Sequence, residues 1–203
     1  MRLVRIKYGE WKADLVRKHT TGLCLDVGCR NRLYEKDFRG EYIGVDASRG
    51  TPPPDVICDA EHLPFKPRTF DTIVAFDVLE HLQHPENGIL EISTLLNEGS
   101  FLATTPNAVS PSSWWDFTHK QHFTRPTLTS LIGEAFDEFQ ILGIGYPTLK
   151  FGWLRSLASK LGYTDTFVIL AKKPRKKTVE FRESKERDDG ERLTRRRSQL
   201  PML

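Results

Sequence analysis

Three shortages narrow what this sequence can encode. No apolar run approaches the ~20 residues that carry a helix across a bilayer, and the amino end, MRLVRIKYGEWK, is interrupted by Arg2, Arg5 and Lys7. The expectation is therefore a chain without a signal peptide or a transmembrane segment, resident in the cytoplasm. Cysteine is scarce: Cys24, Cys29 and Cys58 are odd in number, two of them fall in or beside apolar runs, and no CxxC pair occurs. That fits reduced thiols better than a disulfide framework. Finally, there is no GxGxxG turn. In LCLDVGCRNRLY, residues 23–34, Gly28 is followed by Arg30 and Arg32 where a glycine-rich turn would place its next two glycines. A pyrophosphate needs close backbone approach and free N–H groups, so nicotinamide and flavin dinucleotides lose ground.

What is present is an alternation of short apolar runs with segments of helical spacing. Residues 23–27, 42–46, 55–58, 70–76, 100–105, 139–145 and 165–171 read as strands. Most lack polar alternation, as central strands covered on both faces do. Helices are expected over 11–19, over 85–99 with Pro85 in the first turn and Gly99 at the end, and over 125–136. The pattern predicts an α/β fold: a doubly wound, Rossmann-like, seven-stranded and mostly parallel sheet with helices on both faces.

Residues 1–172 would form this domain and 173–203 a charged, disordered basic tail. Residues 172–203 hold 12 Lys and Arg against 6 Asp and Glu, which attaches a +6 tail to a −3 body. Such a tail admits attraction to RNA or to an anionic membrane surface.

In a doubly wound sheet, ligands bind at the carboxyl ends of the strands where strand order reverses. Asp26 closes the first strong strand, and Asp46, twenty residues on, closes the second in YIGVD. A carboxylate there can accept hydrogen bonds from both hydroxyls of a ribose. A nucleoside without phosphates would ask for one close-approach glycine and for acids facing its hydroxyls and amines.

With these motifs the chain resembles the class I S-adenosylmethionine (SAM) dependent methyltransferases, including the type 11-like domains. LDVGC is similar to their first motif, YIGVD to their ribose-binding acid and DAEHLPF to the segment that meets adenine. FDTIVAFDVLEHL resembles their fourth-strand motif, and LLNEGSFLATTPN their fifth strand with its terminal Pro-Asn. The likeness runs from about residue 20 to 172. It implies SAM as cofactor, with Asp26, Gly28 and Cys29 beside its methionine part, Asp46 on the ribose, Asp59 and Ala60 on the adenine, and Phe76 and Asp77 closing the site next to the methyl group.

Arg30 and Arg32 depart from that pattern. Three readings stand: both side chains point to solvent from a turn with ordinary backbone angles, Arg30 pairs with the cofactor carboxylate or an acidic substrate, or the cofactor site has weakened.

The second half offers His119 and His122 in DFTHKQHFT, after the fifth strand, as candidate catalytic bases for an acceptor that must lose a proton. Trp114 and Trp115 could wall an acceptor pocket. Asp77, Glu80 and His81 form a DxxEH pattern resembling the metal-binding ExxEH of small-RNA 2′-O-methyltransferases, but no metal ligand is assigned at this stage. Residues 146–163 have helical spacing suited to a sheet-edge helix or a lid.

The reading is a SAM-dependent methyltransferase acting on a small molecule such as a sugar, a lipid head group or an aromatic metabolite, by O-methylation. RNA methylation and a non-catalytic binding module of the same fold are the alternatives.

Overall fold

The computed structural model describes residues 10–145 and 164–175. The expected helix within 146–163, the amino end and the tail beyond Arg175 lie outside the described residues. α1 (Glu10–His19) precedes β1 (Leu23–Val27), β2 (Glu41–Asp46), β3 (Val56–Ile57) and β4 (Phe70–Phe76). α2 (Pro85–Leu95) leads into β5 (Leu96–Pro106), followed by the short α3 (Ser112–Trp115), α4 (Arg125–Ala135), β6 (Phe136–Ile144) and β7 (Thr166–Pro174). The strands form a seven-stranded sheet in the order β3-β2-β1-β4-β5-β7-β6, in which β7 alone runs antiparallel to its neighbours. The expected doubly wound, mostly parallel sheet is what forms.

Alternating residues of the central strands serve two apolar layers. Ile73 and Ala75 of β4 with Phe101 and Ala103 of β5 join Ile89, Ile92 and Leu95 of α2 and Leu128 and Ile132 of α4 in the larger core. Val74, Leu102 and Val168 face the other side, where Trp11 and Leu15 of α1 pack. Burial on both faces explains why these strands carry little polar alternation. α4 begins at a capping box in which Thr124 and Thr127 bond each other's backbone N–H.

Several boundaries differ from expectation: the expected 125–136 helix ends at Ala135 and Phe136 opens β6, and β7 runs to Pro174, two residues into the expected tail. The helix of residues 85–99 stops at Leu95, and Gly99 lies inside β5 instead of at a helix end. The β4–β5 register jumps from Phe70↔Leu96 to Thr72↔Ser100, so β5 bulges there. A Cβ on Gly99 would stand 1.6 Å from the Asp71 carbonyl oxygen, so the glycine serves a close strand approach.

Because β2 and β4 flank β1 and the chain leaves in opposite directions from there, strand order reverses beside β1. The crevice this creates at the carboxyl ends is where the acids predicted from sequence gather.

Candidate active site

A cavity of about 1150 Å³ opens at those carboxyl ends, lined by the loops after β1, β2, β3 and β4, by Trp11 and Lys12 of α1, and by parts of 112–120. Asp26, Gly28, Cys29, Asp46, Asp59, Ala60, Phe76, Asp77 and His119 all line it; His122, Trp114 and Trp115 do not. Acidic side chains outnumber Lys and Arg on its wall seven to three. Such a wall suits a ligand with hydroxyls, amines and positive charge, and opposes a polyphosphate.

The loop after β1 keeps glycine-type geometry without the glycines. Gly28 has φ +73°, and Arg30 and Arg32 have φ +48° and +56°, all left-handed. The expectation of ordinary backbone angles at the two arginines is therefore corrected: the turn still requires positive φ, and non-glycine residues accept it. At Gly28 the requirement is also steric, since a Cβ would come within 2.5 Å of Val78 Cγ2.

The amides of this turn are used by the protein itself. Gly28 and Cys29 N–H donate to the Val45 carbonyl at 2.8 and 3.0 Å, and Arg30 N–H donates to Asp46 Oδ2 at 2.8 Å. These three are not left over to cradle a phosphate. The Arg32 guanidinium donates to both oxygens of Glu35 at 2.9 Å and to Asp55 Oδ1 at 2.8 Å, and lies over the Tyr42 ring. It braces the loop. The Arg30 guanidinium makes no hydrogen bond or ion pair among the described residues, and Arg30 lines the cavity.

Asp26 is buried, and its Oδ2 accepts a 2.9 Å hydrogen bond from the Tyr42 hydroxyl. Burial pushes its carboxyl up to about 7, against the opposing pull of the Tyr42 bond. Tyr42 escaped the sequence reading, although Gly44 signals it: Gly44 pairs with Asp26 across the sheet, and a Cβ there would lie 2.7 Å from the Tyr42 hydroxyl. Asp46 accepts from Ser48 N–H and Oγ on Oδ1 at 2.8 and 2.7 Å, which fixes its carboxylate at the end of β2. Asp59 Oδ1 accepts from Glu61 N–H at 2.9 Å, and Glu61 Oε1 accepts from Gln83 and His84 N–H, tying the loop after β3 to the start of α2. Burial lifts the Cys29 thiol to about 12, so it is an apolar wall and not a nucleophile.

At the other end of the cavity Asp77, with φ +54°, turns sharply out of β4. Its Oδ1 accepts from Thr104 Oγ1 at 2.8 Å and its Oδ2 pairs with Lys12, whose ammonium also lies over the Phe76 ring. Lys12 was invisible from the strand motifs because it arrives from α1. Glu80 is 1% exposed; Oε2 accepts from Thr105 Oγ1 at 2.9 Å, while Oε1 has no hydrogen-bond partner among the described residues. Burial, reinforced by Asp77, raises its carboxyl to about 8.

The Glu80 carbonyl accepts from Lys120 and Gln121 N–H, which docks the histidine-bearing segment on the turn after β4. His119 Nδ1 lies 2.8 Å from the Ser113 carbonyl, and His81 Nδ1 lies 3.3 Å from the Thr118 carbonyl. His122 stacks on Trp114 at 3.7 Å between ring centroids and contacts Ser113 Oγ at 3.0 Å. The sequence candidates thus separate: His119 stands on the cavity wall, whereas His122 and Trp114 support each other outside it. Trp115 and Phe117 are 81% and 96% exposed.

Comparison with solved structures shows a shared fold. The YcgJ protein from Bacillus subtilis is 16% identical with a TM-score of 0.57, over 82% of this chain and 99% of that one. Phosphoethanolamine N-methyltransferase 2 of Haemonchus contortus, solved with S-adenosyl-L-methionine, is 17% identical with a TM-score of 0.59, over 82% of this chain and 53% of that one. The small RNA methyltransferase HEN1 is 13% identical with a TM-score of 0.63, over 85% of this chain and 26% of that one. The comparison with curated protein sequences gives no match. The methyltransferase domain family matches residues 7–138, well over half of the chain. With the β3-β2-β1-β4-β5-β7-β6 sheet and the acid-lined cavity at its switch point, this chain belongs to the methyltransferase domain family, on the class I S-adenosylmethionine-dependent methyltransferase fold.

Proposed function

We propose that the protein transfers the methyl group of SAM to an oxygen of a small molecule. The observation that carries this reading is the set of strand-end acids, Asp26, Asp46 and Asp59, on one cavity whose turn amides are already committed to Val45 and Asp46. That arrangement serves a nucleoside with hydroxyls and a cationic amino-acid end. SAM, when bound, supplies an electrophilic methyl group on a sulfonium.

Asp46 holds the ribose, Asp59 and the Ala60 backbone meet the adenine, and Asp26 faces the methionine ammonium beside Gly28 and Cys29. Phe76 and Asp77 close the site by the methyl group, and Lys12 holds the Asp77 carboxylate in place. His119 stands nearest the expected acceptor position and is favoured over His122 as the group that manages the acceptor proton. Most of the catalysis comes from alignment, since an in-line displacement gains chiefly from holding the acceptor about 3 Å from the methyl carbon.

Calorimetry with SAM and S-adenosylhomocysteine tests the reading. Micromolar binding that weakens at least tenfold in Asp46→Ala is expected; binding indifferent to that change would sink it. Incubating metabolite extracts with methyl-labelled SAM then identifies the acceptor, and label transfer to any of them excludes a purely binding role. RNA methylation draws support from the basic tail and from the likeness to HEN1, but the acid excess of the cavity wall favours a small, unphosphorylated acceptor.

A further inference from the structure

Exposed apolar side chains are concentrated beside the cavity mouth. Four of the seven large ones exposed among the described residues, Val109, Trp114, Trp115 and Phe117, fall within nine residues of the loop that joins β5 to α4. That loop is closed at its base by the Asn107↔Phe123 bridge, where the Ala108 N–H donates to the Phe123 carbonyl at 2.8 Å. The Trp114 indole N–H donates to the Ala108 carbonyl at 2.8 Å, so its polar atom is satisfied within the loop. Aromatic rings held in water by a stapled loop mark an interaction surface.

Three observations say what covers them. Ser112, Asp116 and Thr118 line the cavity, whereas the intervening Trp114, Trp115 and Phe117 do not. The occupant therefore lies across the rim and is not an acceptor inside the cavity. Phe117, 96% exposed, touches almost nothing of the protein. A protein partner would need pockets matched to such projecting rings, while the interfacial layer of a bilayer yields around them. Area points the same way: the three rings offer roughly 400–600 Å², short of the roughly 800 Å² that each side of a standard protein interface buries.

Charge is the third observation. The Asn107 side chain and N–H donate to the Thr164 and Asp165 carbonyls at 2.9 Å, and Asp165 N–H donates to the Ile144 carbonyl. The described residues on either side of 146–163 thus meet at the base of the loop. By sequence that intervening stretch holds Lys150, Arg155 and Lys160 and no Asp or Glu. The basic tail, by contrast, follows the far end of β7, where Pro174 pairs with Phe136.

We propose that Val109, Trp114, Trp115 and Phe117 form a membrane-docking surface that seats the cavity mouth on a bilayer containing anionic lipid. The rings enter the head-group layer and the neighbouring cations meet the lipid charge, and the two contributions add. Resting on the methyl-transfer reading, the acceptor is then a hydroxylated lipid head group presented at the rim. Docking itself does not depend on that reading.

The test is sedimentation of the full chain with vesicles of phosphatidylcholine and with vesicles of phosphatidylcholine and phosphatidylglycerol in equal parts. The chain should bind the mixed vesicles, and bind phosphatidylcholine alone severalfold more weakly. The double variant Trp115→Ser, Phe117→Ser should weaken binding to the mixed vesicles at least tenfold. Both side chains are exposed, so its thermal melt and its S-adenosylhomocysteine affinity should match those of the wild type. No binding to the mixed vesicles, or equal binding to both kinds, overturns the proposal. Binding that the double variant leaves unmoved also overturns it, and assigns attraction to the basic tail. A wild-type dimer in light scattering that the double variant dissolves, without vesicle binding, would give the surface to a second copy of the chain instead. Vesicle binding by a chain that does not bind S-adenosylhomocysteine would overturn the methyltransferase reading and leave the docking surface standing.

Discussion

Asp26 couples the candidate site to pH. Its carboxyl is lifted from 3.8 in the unfolded chain to about 7 by burial, so between those values the folded protein holds a proton that the unfolded chain has released. Stability contributed by this group therefore declines as pH rises through that window and is lowest above 7. On the proposed placement of SAM, ligand binding runs the other way, because an ammonium facing Asp26 requires the carboxylate. SAM affinity should rise as pH increases from 5 to 8, and binding at pH 6 should release about one proton, seen as a buffer-dependent calorimetric enthalpy. Asp26→Asn should abolish that proton release and weaken binding by roughly tenfold to a hundredfold, the worth of one hydrogen bond to a charged group.

The two arginines of the same loop separate by what their side chains touch. Placing a non-glycine residue in the left-handed region costs about 1–2 kcal/mol, while a glycine there adds about 0.4–1 kcal/mol of unfolded-state entropy. For Arg30, without a side-chain partner among the described residues, the difference leaves Arg30→Gly neutral to stabilising, by about 0–1.6 kcal/mol in urea melts. Arg32→Gly gains the same relief and loses the Glu35 and Asp55 pairs. It should be the less stable of the two variants by about 1 kcal/mol in the same melts.

At the scale of elements, the strands flanking the switch point were the most legible part of the sequence. β1 and β4 occupy the expected 23–27 and 70–76, because short, mostly apolar runs bounded by turn residues have few other readings. The α2–β5 junction was not legible. LLNEG has the apolar pair and terminal glycine of a helix end, yet it is a bulged strand start whose register depends on Asp71, more than twenty residues earlier. The acids at the strand ends could likewise be placed from spacing alone, but Tyr42, Lys12 and the separation of His119 from His122 could not. Those depend on which faces meet across the sheet and where α1 and α3 come to rest.

The bulge gives a direct check. With a Cβ 1.6 Å from the Asp71 oxygen, Gly99→Ala forces β4 and β5 apart at the edge of the core. It should cost about 3 kcal/mol in urea melts, near the upper range for overpacking. If Gly99 were instead a helix terminus with left-handed backbone, Gly99→Asn would be tolerated far better than Gly99→Ala; in a tight strand pairing both should be destabilising.

Over the whole molecule, the decisive property is the field at the switch point. The cavity wall carries an excess of four acidic side chains over basic ones, while the sequence as a whole is formally +3. The fold thus gathers negative charge on the wall of the cavity proposed to hold the cofactor and leaves the positive excess elsewhere. With Glu80 counted as neutral, since its carboxyl is raised to about 8, about three unit charges at about 10 Å contribute roughly 0.4 kcal/mol each toward a cation in water-like surroundings, a total near 1.2 kcal/mol or roughly eightfold in affinity. Salt screens this term over a Debye length of about 10 Å at 0.1 M. SAM carries one positive charge more than S-adenosylhomocysteine, and the two ligands otherwise share their contacts. The ratio of their affinities should therefore shift toward S-adenosylhomocysteine by severalfold as salt rises from about 0.01 M to 1 M, measured by calorimetry with each ligand. Neutralising an exposed acid of the wall, Asp116→Asn, should flatten that dependence without altering S-adenosylhomocysteine binding at high salt. A ratio unmoved by ionic strength would mean that short-range contacts alone select the cofactor, and that the gathering of acids at the switch point serves the fold instead of the ligand.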